Sequence, residues 1–157
     1  MERNPNMKNS FFTVCGVVEI ENKILLVRHT YGTAKDRLLV PGGHVEEGEL
    51  PTTALEREIY EETGVTVKAT SLLSVQFKPH QWCPVFICEY LSGTPVSDHY
   101  ENSEVLLLPT EEAISRPDLT NMSREILKLY QEKQHSAFTK QSYFPKNTTE
   151  ADYALFG

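Results

Sequence analysis

The sequence predicts an α/β layered domain. Three observations carry that expectation: short apolar runs bounded by turn residues, two helical segments set between such runs, and a length of 157 residues, which suits one domain with a substantial core. Composition agrees, since 39% hydrophobic and 24% charged residues is the balance of a soluble globular chain, and no apolar run approaches the length of a membrane helix.

The elements follow in order. Met1 to Ser10 reads as a flexible, polar lead-in, and the domain proper is expected at 11–135. Phe11 to Ile20 and Lys23 to Arg28 read as two strands across a tight turn at Glu21-Asn22. Leu38 to Val40 is a short strand running into Pro41-Gly42-Gly43. Leu50 to Thr63 predicts a helix: Pro51 suits its first turn, Ala54 to Glu58 are good helix formers, and Gly64 suits the position just past the end. Val65 to Lys68 and Leu72 to Lys78 are extended, and Pro84 precedes an apolar strand from Val85 to Leu91. Ser92 to Asn102 is a loop, Val105 to Leu108 a strand, and Thr110 the expected N-cap of a short turn holding Glu111 and Glu112. A second helix is expected from about Ser123 to Gln134. The tail, 136–157, carries Phe138, Tyr143, Phe144, Tyr153 and Phe156 without helical period, so it is expected to cover a surface, on its own domain or on a second copy in a homodimer.

Charge narrows function. The net charge is −7, which argues against a nucleic-acid binder, since such a protein usually carries a basic face. Seven glutamates fall between Glu46 and Glu62, and they would repel an anionic substrate unless a cation accompanied it. The three cysteines, Cys15, Cys83 and Cys88, are odd in number and form no C-x-x-C pair. With no apolar signal core in the first ten residues, reduced thiols and a cytoplasmic location are expected.

The chemistry is concentrated in residues 43–65. On the expected helix Glu58, Glu61 and Glu62 are related as i, i+3 and i+4, so their carboxylates share a face beside an apolar stripe of Leu55 and Ile59. At about 4–6 Å and an effective dielectric near 20, each carboxylate pair repels by about 3–4 kcal/mol. A divalent cation removes that cost, and hard oxygen donors point to Mg2+ or Mn2+ rather than zinc. Arg57, four residues before Glu61, can neutralise part of the charge.

The same stretch fits G-x5-E-x7-R-E-U-x-E-E-x-G-U, with U aliphatic, at Gly43, Glu49, Arg57, Glu58, Ile59, Glu61, Glu62, Gly64 and Val65. That pattern is the Nudix box, and the chain resembles a Nudix hydrolase. The resemblance implies an α/β/α sandwich, a mixed sheet between helices. It implies hydrolysis of the diphosphate bond in nucleoside diphosphate derivatives, yielding a nucleoside monophosphate and a phosphorylated remainder. It implies Gly43, Glu49, Glu58, Glu61 and Glu62 as metal ligands for Mg2+, which Mn2+ can replace, with Arg57 holding the carboxylates in position. The base that activates water is implied to be a box glutamate or a later loop acid, Glu101 or Glu104, and Arg28 and Arg37 are candidates for substrate phosphates.

The box defines the bond and leaves the substrate open. Pro79, fifteen residues after Gly64, resembles a mark of the ADP-ribose-cleaving subclass, and a nucleotide-sugar type stands beside it. Nucleoside triphosphate hydrolysis is an alternative, as is a nucleotide-sensing module without turnover. Phe77, Trp82 and Phe86 are candidates for stacking a base, or else for the core.

Overall fold

The computed structural model describes residues 11–157, so the expected lead-in at 1–10 lies outside the described residues. The strands are β1 (Phe11–Ile20), β2 (Lys23–His29), β3 (Leu38–Leu39), β4 (Gly42–His44), β5 (Thr66–Lys78), β6 (Gln81–Ser92), β7 (Asn102–Leu108) and β8 (Phe138–Thr139). The helices are α1 (Pro51–Thr63), α2 (Thr110–Ser115) and α3 (Asn121–Lys133). The sheet is ordered β3-β2-β1-β6-β5-β8, with β4 paired to β1 and β7 paired to β2. It is mixed, because β1 and β6 run parallel while the other pairs are antiparallel.

Side-chain alternation divides the core in two. Cys15, Val17, Ile24, Leu26, Cys83 and Val85 point to one face, against Ile126, Leu127 and Tyr130 of α3. Val14, Val18, Leu25, Phe86 and Cys88 point to the other, against Ala54, Leu55 and Ile59 of α1. The sheet thus lies between helices, as expected of an α/β/α sandwich.

Local chemistry explains the boundaries. Glu21 and Asn22 both take positive φ (51° and 64°), the conformation of a two-residue hairpin turn. Helix α1 begins at Pro51 and stops at Gly64, whose φ of 73° puts its N–H onto Tyr60 O at 2.8 Å. Helix α3 starts two residues earlier than the sequence suggests, because Thr120 caps it by accepting from Ser123 N at 3.3 Å.

Several expectations are corrected. Thr110 is the first residue of α2 and makes no capping bond; Pro109 precedes it. The two extended pieces between Val65 and Lys78 are one strand, β5, interrupted by register shifts at Ala69/Ser71 and Leu72/Ser74 that disguise its continuity. Pro84 lies inside β6, where it is tolerated because the β1–β6 ladder lapses between Phe12↔Trp82 and Cys15↔Val85. Gly42–His44 is a strand, β4, and places Gly43 opposite Val14.

The tail packs on its own domain. β8 extends the sheet by pairing Leu72 with Phe138, and the chain returns so that Lys140 bridges Phe156. Phe156 meets Phe86 edge to face at 5.3 Å, closing the α1-side core beyond the end of the helix. Phe156→Ala should therefore lower stability by about 1–2 kcal/mol, combining the lost ring pair with partial loss of buried area. Urea unfolding measures this, and an unchanged midpoint would show that the tail is an ornament on the fold.

Candidate active site

The site is assembled where α1, β4 and the loop before β7 meet. Helix α1 contributes Glu58 and Glu62, one turn apart, and the loop contributes Glu101. One carboxylate oxygen from each lies within 4.8 Å of the others. Glu62 is buried, Glu58 and Glu101 half-buried. Gly43 is required here, because a Cβ at that position would overlap the Glu58 carboxyl group.

Electrostatics follow from this crowding. Burial, together with the charges of Glu58, Glu101 and Asp98, pushes the Glu62 carboxyl up to about 9, although Gly42 N–H donates to it. Burial also raises Glu58, against the pull of Arg57. The Glu62 Oε2 atom is buried and has no hydrogen-bond partner among the described residues. An unpartnered buried oxygen beside two other carboxylates is costly, and an oxygen-only donor set fits a hard divalent cation.

Arg57 organises the outer side of the cluster. Its Nε and Nη2 grip Glu49 at 2.9 and 2.8 Å, its Nη1 reaches Glu58 at 3.0 Å and Glu61 at 3.2 Å, and Nη2 also donates to His44 O at 3.1 Å. The planar guanidinium suits this two-sided fork. The hydrogen bond from Arg57 holds Glu49 below the usual carboxylate range.

The loop is held by its own polar groups. Asp98 Oδ1 accepts from the backbone N–H groups of Tyr100, Glu101 and Asn102 at 2.9–3.1 Å. Thr30 Oγ1 donates to Tyr100 O at 2.8 Å and to Glu101 O at 3.1 Å. Asn102, only 1% exposed, donates its Nδ2 to Glu62 O at 2.8 Å and so ties the loop to the end of α1. Sequence reading missed Asp98 and Asn102. The signal available was an Asp four residues before an Asn in a loop that must double back, a spacing suited to side-chain-to-backbone turns.

The structure separates the other candidates. Glu61 is exposed and pairs with Arg57, outside the Glu58–Glu62–Glu101 group. Glu49 faces Arg57. Glu104 lies opposite Arg28 in the β2–β7 ladder and bonds to it at 2.8 Å, away from the cluster. Arg28 is further engaged by Asp118 at 3.0 Å and by Asp36 O. Arg37 donates from Nη2 to Leu119 O at 2.7 Å. These bonds leave both arginines bracing β2, β3 and the approach to α3.

Beside the cluster, and sharing Gly42 and Gly43 with it, is a cavity of about 350 Å3. Its walls come from β1, the β2–β3 connection, β6 and the start of α3. His29, Tyr31 and His44 are the aromatic side chains lining it, and His29 and Tyr31 stack on each other at 5.1 Å with 12° between their planes. Phe77 and Trp82 are exposed on the opposite face of the sheet, edge to face at 5.4 Å, and Phe86 is core.

A loop acid brought to a helical pair of glutamates, over a glycine that admits no side chain, defines a carboxylate site built for a hard cation. The family model for the NUDIX domain matches residues 10–130, and the chain belongs to that family. A Methanocaldococcus jannaschii protein named ADP-ribose pyrophosphatase is 41% identical over 86 residues, 51% of this chain and 51% of the relative. A mouse diphosphoinositol polyphosphate phosphohydrolase 3-alpha is 44% identical over 62 residues, 40% of this chain and 37% of the relative. The chain spans about half or less of the curated relatives it matches first. Among solved structures, a NUDIX hydrolase from Nitrosomonas europaea superposes with a TM-score of 0.72 at 26% identity, covering 82% of this chain and 74% of that one. A UDP-X diphosphatase gives 0.62 at 28% identity, covering 78% of this chain and 63% of that one.

The raised Glu62 pKa has a thermodynamic consequence. Between the ordinary value near 4.5 and about 9, the folded protein without a cation holds a proton that the unfolded chain releases. Stability of that form therefore falls as pH rises through this window. A divalent cation held there would replace the proton, so Mg2+ should raise the melting temperature more at pH 8.5 than at pH 5.5. Glu62→Gln should flatten that difference. Equal Mg2+ effects at both pH values in the unsubstituted protein would remove Glu62 from the cation site.

Proposed function

We propose that the chain hydrolyses the diphosphate bond of nucleoside diphosphate derivatives in a divalent-cation-dependent reaction, with ADP-ribose or a nucleotide sugar as the substrate type. The observation that carries this reading is the convergence of Glu58, Glu62 and Glu101 within 4.8 Å, with a buried unpartnered oxygen on Glu62. The name of the archaeal relative supports the substrate type, and the cavity supports a nucleoside.

Glu58 and Glu62 hold the cation, preferably Mg2+ with Mn2+ as a substitute, assisted by the Gly43 carbonyl and by Glu61 at the exposed rim. When bound, the cation neutralises phosphate oxygens and lowers the pKa of the attacking water. Arg57 keeps the carboxylates in register and, through Glu49, fixes the helix start against β4. Glu101 is the base that takes the proton of the water, since it belongs to the cluster and comes from a loop braced by Asp98 and Thr30. Glu104 has a structural role with Arg28. The diphosphate lies over Gly43, and the nucleoside enters the cavity against the His29–Tyr31 stack. Water attacks one phosphorus, the bridging oxygen leaves with the other phosphate, and two monophosphates result.

The variants divide these roles. Glu58→Gln should lower kcat/KM at least about 100-fold, near 2.7 kcal/mol of transition-state stabilisation. Glu101→Gln should lower kcat about 10-fold or more, while Glu104→Gln leaves kcat within about threefold and lowers the melting temperature. Steady-state kinetics with Mg2+ against ADP-ribose, nucleotide sugars, dinucleotides and nucleoside triphosphates checks both the roles and the substrate. Turnover confined to triphosphates would replace the substrate type, and tight nucleotide binding without turnover would replace the enzyme with a sensor.

A further inference from the structure

The floor of the cavity carries two groups that the hydrolysis leaves unused. Cys15 on β1 and Cys83 on β6 both line it, and their sulfurs are 3.8 Å apart. The residues are 8% and 7% exposed and line the cavity, which is the route a small reagent would take to them.

Their place in the sheet matters. The two thiols approach at the lapse in the β1–β6 ladder, next to Pro84, which has no N–H to donate. Side-chain packing, rather than continuous backbone bonding, sets the strand separation there. The pair is also polarised. The hydrogen bond between the thiols, with Thr13 and Lys78, lowers Cys83, while the same bond and burial hold Cys15 up. That direction makes Cys83 the thiol expected to react first. Cys88 lies on the opposite face of the sheet, among the α1-side core residues, and burial pushes its thiol well above the usual range.

We propose that Cys15 and Cys83 form an oxidisable dithiol in the cavity floor, converted to a disulfide by peroxide. The Cys83 thiolate attacks one peroxide oxygen and the O–O bond breaks. The second oxygen leaves as hydroxide and is protonated to water, and Cys83 becomes a sulfenic acid. Cys15 then gives up its proton and attacks the Cys83 sulfur, displacing the hydroxyl as a second water. Two thiols and one hydrogen peroxide give one disulfide and two waters; the sulfurs are oxidised and the peroxide reduced.

A disulfide needs about 2.05 Å between sulfurs, so the 3.8 Å separation must shorten, and any closure of β1 on β6 that accompanies it falls at the ladder lapse. Cys15 pairs with Gly42, so that movement is delivered to the strand that carries Gly43 to Glu58. The consequence for turnover rests on the assignment of the cavity to substrate; the formation of the disulfide does not.

The test exposes the full chain, folded, to hydrogen peroxide, alkylates remaining thiols, and reads intact mass and linked peptides. The expected product has lost two hydrogen atoms, links the Cys15 and Cys83 peptides, leaves Cys88 as a free thiol, and reverts with dithiothreitol. Cys15→Ser should stop at a sulfenic acid on Cys83 that dimedone traps, and Cys83→Ser should give neither product. Oxidation of Cys83 no faster than of Cys88, or accumulation of sulfinic acid on Cys83 without a link, overturns the proposal. The oxidised protein should also show a KM raised severalfold, with no such change in peroxide-treated Cys83→Ser. A complete link with unchanged KM sustains the dithiol and overturns the placement of substrate against this floor.

Discussion

Three carboxylates cannot share one partly buried place unless something else in the structure holds them there. Glu62 is the extreme member: its carboxyl is among core residues, one oxygen lacks a partner among the described residues, and its proton is retained far above the usual range. The neighbouring features can be understood as the means by which this unfavourable grouping is kept. Gly43 lets β4 approach Glu58, Arg57 supplies a fixed positive fork from the solvent side, and Asn102 fastens the loop acid to the helix end. The rest of the fold, a sheet clamped between α1 and α3, gives these parts a rigid base.

The helix face was legible in the sequence, but the division of labour on it was only half read. At about 100° per residue, Glu62 falls some 20° from Leu55, inside the apolar stripe, whereas Glu61 falls about 120° from it. Docking the stripe on the sheet necessarily buries Glu62 and leaves Glu61 at the rim, where Arg57 finds it. The spacing alone contained this result. The three glutamates are therefore not equivalent on the helix, because the sheet approaches from the Glu62 side.

Other roles needed pairings that no local pattern reveals. Glu101 and Glu104 differ by three positions in a polar stretch, yet one joins the cluster and the other faces Arg28 across the ladder. The choice is made by β2–β7 register, which depends on residues about 76 apart, as the Arg28–Glu104 bond records. The aromatic candidates divide for a similar reason, Phe86 taking the core alternative. Trp82 and Phe77 point away from the cavity because alternation along β6 gives the cavity side to Gln81 and Cys83. The tail lacked any period to read, and its anchoring rests on long-range contacts, the β5–β8 pairing and Phe156 on Phe86.

The site and the cavity meet along β4, at Gly42, Gly43 and His44, and otherwise draw largely on different parts of the chain. Carboxylates and Arg57 come largely from one contiguous stretch, so their mutual geometry is set by a single helix and its entry strand. The cavity walls come from β1, the β2–β3 connection, β6 and α3, segments whose spacing is set only by the packed sheet. Side chains there can change without disturbing the carboxylates, provided β1 keeps its register with β4. On the proposed function, bond cleavage would be encoded locally and substrate choice globally. The β1–β4 pairing, Val14 opposite Gly43 and Cys15 opposite Gly42, is the seam through which a change in one reaches the other.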